Sequence, residues 1–156
     1  MIKTVTEMIV DGYGTGELDF LTRLGQADML TQVGFDTQII QPLLAVLATE
    51  SETSVLTVTG HADRVDTPGL TREQRRQQEF DSSDARALSA VAGVRQLIDQ
   101  QTPFFIPSDL NDLSQLHVAD RPAGAAVLKE TADDLSEEQR RRNRRVQFRV
   151  IRFQPE

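Results

Sequence analysis

The run Val55-Leu56-Thr57-Val58-Thr59 constrains the fold most, because four of its five residues are β-branched and it ends abruptly in Gly60-His61-Ala62-Asp63. Such a run reads as a strand, and helical patterns lie on both sides of it. Upstream, Ile39, Ile40, Leu43, Leu44 and Leu47 recur at helical spacing behind a candidate N-cap at Asp36, which predicts a helix over 37–49. Downstream, Leu88, Val91, Val94 and Ile98 predict the buried stripe of a second long helix that begins near Asp81 or Ser82. A strand held between two amphipathic helices points to a sheet with helices against it, and this strand is expected at the centre of that sheet.

The remaining segments fill in the order. "IKTVTEMIV" is compatible with a strand, "LDFLTRL" with a short helix, and "MLTQVGF" alternates as a first core strand would. Residues 64–80 form a polar insert with a turn signal at Pro68-Gly69. Within it, Thr71 and Gln74 have capping-box spacing, so one or two exposed helical turns are expected there. "TPFFIP" reads as a short strand between prolines, and residues 108–127 as irregular. "DLSEEQRRR" carries acids early and arginines late, as a short helix prefers. "RVQFRVIRF" alternates as a closing strand. The sum is β-α-β-α-β-(α)-β, an α/β two-layer sandwich with a mixed sheet and the helices on one face. Residues 1–35 are expected as an N-terminal extension and 36–156 as the main domain.

At 156 residues the chain suits one domain, which buries roughly two-thirds of its unfolded surface. The formal net charge of -7 argues against a general nucleic-acid binder, which needs a positive field. With no cysteine there are no disulfides, thiolate metal sites or cysteine nucleophile. No apolar run reaches the roughly 18 residues of a membrane span. The first residues lack the basic flank and unbroken apolar core of a signal peptide. Either the protein stays inside the cell, or a leader or anchor has been trimmed from it.

His61 and Asp63 stand at a strand end, where side chains commonly carry function. As metal ligands they are too few, since zinc needs three or four and the other histidine, His117, lies in an unpatterned stretch. No G-x-S-x-G, P-loop or G-x-G-x-x-G accompanies them. Taken alone, Asp63 reads as a turn residue bonded to its own loop. The arginines at 140, 141, 142, 144 and 145 read either as a solvated helix end laced with ion pairs or as ligand support. Strand alternation lets at most one of Arg144 and Arg145 face a given pocket.

Three pieces in order change the weighing: "VTGHAD" closing a strand, "SSDARALSAV" on a helix, and "RRRNRRVQFRV" leading into the last strand. Together they resemble the OmpA-like peptidoglycan-binding domain, over roughly Phe35 to Phe153. Its pattern runs Gly-His-Thr-Asp, then Asn-x-x-Leu-Ser-x-x-Arg-Ala, then Asn-Arg-Arg-Val. Here Ala62 stands for the threonine, Ser82-Ser83 for Leu-Ser and Glu79 for the asparagine.

The resemblance implies an OmpA-C-like fold and a non-enzymatic module with no cofactor and no metal. It implies that Asp63 and Arg86 hold the diaminopimelate of the peptidoglycan stem peptide, with Asn143, Arg144 and Arg145 in the closing motif. Gly60, His61 and Glu79 would support the pocket. The chemistry is sensible on its own terms. Diaminopimelate presents an ammonium beside a carboxylate, which a carboxylate and a guanidinium fork on the first turn of a helix can hold, the helix N-terminus assisting. Asp63 and Arg86 are accordingly expected to border one small surface pocket. The implied partner is peptidoglycan, with subunits of a larger envelope or injection-type assembly alongside it, while charge and hydropathy leave neither nucleic acid nor a membrane span. That partner implies the periplasm or cell envelope if a leader or anchor has been trimmed, and otherwise synthesis in the cytoplasm with a non-classical export route. The rival readings are an interaction module that keeps the fold but has lost the pocket, and, more remotely, a metal-dependent hydrolase around His61 and Asp63.

Overall fold

A computed structural model describes residues 1–49, 51–102 and 116–156. Its elements are β1 (Ile2–Val10), α1 (Phe20–Gln26), α2 (Met29–Phe35), a π-helical turn (Asp36–Ile40), α3 (Gln41–Leu47), β2 (Thr53–His61), α4 (Arg72–Gln101), β3 (Leu116–Pro122), α5 (Glu137–Asn143) and β4 (Arg145–Gln154). The strands form one mixed sheet in the order β1-β4-β2-β3. β4 runs antiparallel to β1 and β2, and β3 runs parallel to β2. β2 is thus internal, as its β-branched run predicts, and the α/β two-layer architecture stands.

One face of the sheet is covered. Ser54, Leu56, Val58 and Gly60 of β2 and Val146, Phe148 and Val150 of β4 are buried, while Thr57, Gln147 and Arg149 alternate outward. α4 packs on β2 and β3, and the π-helical turn and α3 pack on β1, β4 and β2. Between the layers Phe20, Phe35 and Phe148 form a triangle with ring centroids 4.9–5.2 Å apart, each pair tilted or edge-on as the ring quadrupoles prefer.

Several expectations are corrected. "MLTQVGF" is not a strand but α2, because the Asp28 side chain accepts the Thr31 N–H and so starts a helix there. The place of the first strand belongs to "IKTVTEMIV", which pairs with β4 along its whole length. The helix expected at 37–49 continues from α2, so Asp36 lies inside it with helical dihedrals and caps nothing. A π-helical turn follows, with the Gln41 N–H bonded to the Asp36 carbonyl, directly before Pro42, which has no N–H to give to a regular ladder.

The second long helix does not begin at Asp81 or Ser82. It runs unbroken from Arg72, capped by the Thr71–Gln74 capping box that the spacing predicts. Its buried side is also rotated from the expected stripe. Leu88 is 51% exposed and Val91 only partly covered, whereas Ser83, Ala87, Ala90, Val94 and Ile98 are buried. Small residues let the helix lie close to the sheet, and reading the stripe from the larger side chains misses this.

Residues 116–122, expected as irregular, form the edge strand β3. Only Leu116 of its side chains is fully buried, so the segment carries little periodic signal. The strand expected at "TPFFIP" lies outside the described residues.

Candidate functional site

The carboxyl end of β2 approaches α4 at Gly60. A Cβ there would stand 1.9 Å from the Ser83 carbonyl oxygen, so only glycine permits this packing. The turn after β3 closes the corner. The Ala123 N–H donates to the Gly60 carbonyl, the Ala62 N–H to the Gly124 carbonyl, and the Gly124 N–H to Ser83 Oγ. Beyond this corner the chain turns away from α4, and the loop is pinned back when Glu79 Oε1 accepts the Val65 N–H. A pocket of about 370 Å³ opens between that loop, α4, α5 and the loop between β1 and α1.

Asp63 and Arg86, 23 positions apart in sequence, both line this pocket. They are 6% and 3% exposed, so they lie at its inner wall rather than its rim. Arg86 sits well inside α4, not on a first turn. The helix-terminus assistance expected for it is therefore withdrawn, and its own guanidinium must supply the positive charge.

That guanidinium is held without a carboxylate. Nη1 donates to the His61 carbonyl at 3.0 Å and Nε to the Glu17 carbonyl at 3.1 Å. Its Cζ lies 5.2 Å from the Tyr13 ring centroid, within cation–π reach. Nη2 makes no hydrogen bond among the described residues, and it is not among the buried atoms that lack a partner. It therefore opens to the pocket. Burial pushes the Arg86 pKa down to about 10, so the group stays protonated at neutral pH. Glu17 and Asp63 act on it only through space, with no direct ion pair; a buried cation so held is costly to keep, and a ligand carboxylate is the species that would relieve it.

Asp63 is in the opposite condition. Its Oδ1 accepts from Asn143 Nδ2 at 2.9 Å and its Oδ2 from Arg140 Nη1 at 2.7 Å, with Arg144 Nη2 at 3.8 Å. Asn143 is a hub. Its Oδ1 accepts the N–H groups of Lys129 and Glu130, while Nδ2 also donates to the Glu130 carbonyl. It positions Asp63 and does not line the pocket. Asn143→Ala should leave Asp63 short of a donor and two backbone N–H groups without an acceptor. The expected loss is about 2–3 kcal/mol of stability, readable by urea denaturation.

Of the arginine pair, Arg144 faces the pocket and is bound to Glu137 Oε1 at 2.7 Å. Arg145 is turned elsewhere, with its fork on the Asn143 and Val127 carbonyls. Glu79 lines the pocket, but Gly60 and His61 do not. His61 lends its carbonyl to Arg86, while its Nε2 lies 3.1 Å from Gln147 Oε1. Burial and the nearby Arg145 hold its pKa below the usual histidine value. Among the described residues, no group of three or more histidines, cysteines or carboxylates is placed to hold a metal ion. No described helix is long and apolar enough to cross a membrane.

Two parts of the site are missing from the sequence reading. One is the loop between β1 and α1, where Gly12 and Gly16 adopt positive φ. This lets Tyr13 tuck beneath Arg86 and brings Thr15 and Gly16 to the pocket. The glycines of "GYGTGE" are visible in the sequence, but their distance from the strand end at 60–63 hides the contact. The other is Arg140, which looks like one more member of a solvated arginine run and instead binds Asp63 and, at 2.6 Å, Asp66.

No family model and no curated protein matches the chain. Solved structures do. The periplasmic domain of Helicobacter pylori MotB (residues 97–256) is 14% identical, with a TM-score of 0.46 over 95% of this chain and 81% of that one. The cell wall anchor of the T6SS from Pseudomonas aeruginosa is 21% identical, with a TM-score of 0.41 over 98% and 82%. The OmpA-like domain of FopA1 from Francisella tularensis subsp. tularensis SCHU S4 is 13% identical, with a TM-score of 0.44 over 99% and 78%. What the pocket of this chain binds has to follow from its own side chains.

Proposed function

We propose that this chain binds peptidoglycan non-covalently through the diaminopimelate residue of the stem peptide, and that it anchors a larger assembly to the cell wall from the periplasm or cell envelope. The observation that carries the reading is Arg86, a buried guanidinium with no carboxylate partner and one N–H arm open to a pocket that also holds Asp63. A free carboxylate beside an ammonium matches that pair in sign and order. The pocket lining carries Arg64, Arg86, Arg140 and Arg144 against Asp63, Asp66 and Glu79. Arg64, Arg140 and Arg144 are ion-paired, which leaves Arg86 as the lining cation for a ligand carboxylate to meet. The three motifs shared with the OmpA-like pattern point the same way. The site reads as a binding site rather than a catalytic one, since His61 directs its ring to Gln147 and does not line the pocket.

A second reading has one observation in its favour. Asp63 is already paired by Arg140, as in a module that has kept the fold and closed the pocket. Calorimetric titration with a diaminopimelate-containing muropeptide separates the two. Saturable binding that is weakened by salt supports the anchor. No heat at millimolar ligand favours the interaction module.

A further inference from the structure

Arg140 stands where the ligand's ammonium would have to go. Its Nη1 is 2.7 Å from Asp63 Oδ2 and its Nη2 is 2.6 Å from Asp66 Oδ2, so one guanidinium bridges an inner and an outer carboxylate. The inner one is almost wholly covered and the outer one more than half exposed, with side-chain exposures of 4% and 56%. Arg86, in contrast, is unblocked, with an open N–H arm and no carboxylate bonded to it. Half of the zwitterion clamp is therefore open and half is filled by the protein's own cation.

We propose that Arg140 is a specificity-determining residue, an internal competitor that reserves Asp63 for ligands carrying a carboxylate beside their ammonium. The proposal rests on the stem-peptide reading of the pocket. An ammonium alone only exchanges one cation on Asp63 for another and gains no further pair. A ligand whose adjacent carboxylate settles on Arg86 gains a second pair that drives the exchange. The bridge makes displacement feasible, because Arg140 can release Asp63 and keep Asp66, swinging outward without becoming unpaired. Diaminopimelate satisfies the condition. Lysine at the same position of a stem peptide presents the ammonium alone and does not. Arg140 would thus turn a general amine site into one selective for the zwitterion, at some expense of affinity for the zwitterion itself.

The test compares two muropeptides, identical except for diaminopimelate or lysine at the third position, against the unmodified chain, Arg140→Lys and Arg140→Gln. Arg72→Ala, on the exposed first turn of α4, is the control. Melting curves establish that each variant is folded. Arg140→Gln should bind the lysine peptide about tenfold more tightly than the unmodified chain does, which is the low end for freeing a close charge pair. It should gain less for the diaminopimelate peptide, so that the ratio between the two falls. Arg140→Lys keeps a charge but cannot span both carboxylates, and it should lie between. It also keeps the test decisive if the glutamine variant does not fold. Diaminopimelate binding in the unmodified chain with an unchanged ratio in the variants overturns the role of Arg140 and leaves the anchor reading intact. Weaker binding of both peptides by the variants also overturns it, making Arg140 a ligand contact. Binding only after Arg140 is removed supports the competitor role and refutes anchoring by the natural chain. No binding by any form refutes both.

Discussion

Gly60→Ala is expected to destabilise the fold by about 3 kcal/mol, the upper range for forcing extra volume into a packed site. The added Cβ would stand 1.9 Å from the Ser83 carbonyl oxygen, 2.9 Å from its carbon and 3.0 Å from the Ala87 nitrogen. All three are backbone atoms inside α4, so no side chain can rotate away to make room. Relief would require α4 to lift from β2, which would uncover Ala87 and Ala90 and break the Gly124 bond to Ser83 Oγ. Arg86 would move with the helix, and ligand binding should fall together with stability. Gly25→Ala is the contrast. Gly25 lies in α1 with nothing within 4 Å of an added Cβ. Alanine there should be neutral or stabilising by up to about 1 kcal/mol, since helices favour alanine over glycine. Urea denaturation of the two variants checks both expectations, and a Gly60→Ala protein as stable as the unmodified chain would show that the helix–strand contact is looser than described.

The same contact explains what could and could not be read in the sequence. β2 and β4 were legible because residues buried on one face and exposed on the other alternate with period two. The Thr71–Gln74 cap was legible because capping is local chemistry. The buried side of α4 was not, because Ser83, Ala87 and Ala90 are buried for being small, while Leu88 sits in solvent. β3 was hidden because it is defined by its parallel pairing with β2 across a long connection, and most of its side chains are exposed. At the site, Asp63 and Arg86 were placed together by the motif resemblance, and the geometry brings them to one pocket. The Tyr13 loop and the Arg140 bridge depend on contacts between segments more than 70 residues apart for both Arg86–Tyr13 and Arg140–Asp63, and no local pattern announces them.

Replacing Arg86 should have the largest effect on binding. With Arg86→Ala, the ligand carboxylate would enter a covered site with no cation to meet it. The expected loss is about 2–5 kcal/mol of binding free energy, the cost of truncating one partner of a buried hydrogen-bonded charge pair. The effect on stability should be much smaller, because two changes oppose each other. The Glu17 and His61 carbonyls lose their donor and Tyr13 loses its cation–π partner, while the fold no longer has to bury an unpaired charge. Arg86→Lys refines the test. A lysine keeps the charge but has one nitrogen for all tasks, and it cannot hold the two carbonyls while presenting a free arm to the ligand. It should recover only part of the lost affinity. Calorimetry with the diaminopimelate muropeptide reads the affinities, and thermal melting of the same samples reads the fold. Should Arg86→Ala bind as tightly as the unmodified chain, the open guanidinium arm would not be the anion receptor, and the anchoring proposal would lose the observation that carries it. Should all three bind alike but lose affinity on Asp63→Asn, the ammonium half alone would account for recognition, and selectivity for the zwitterion would have to come from elsewhere in the pocket.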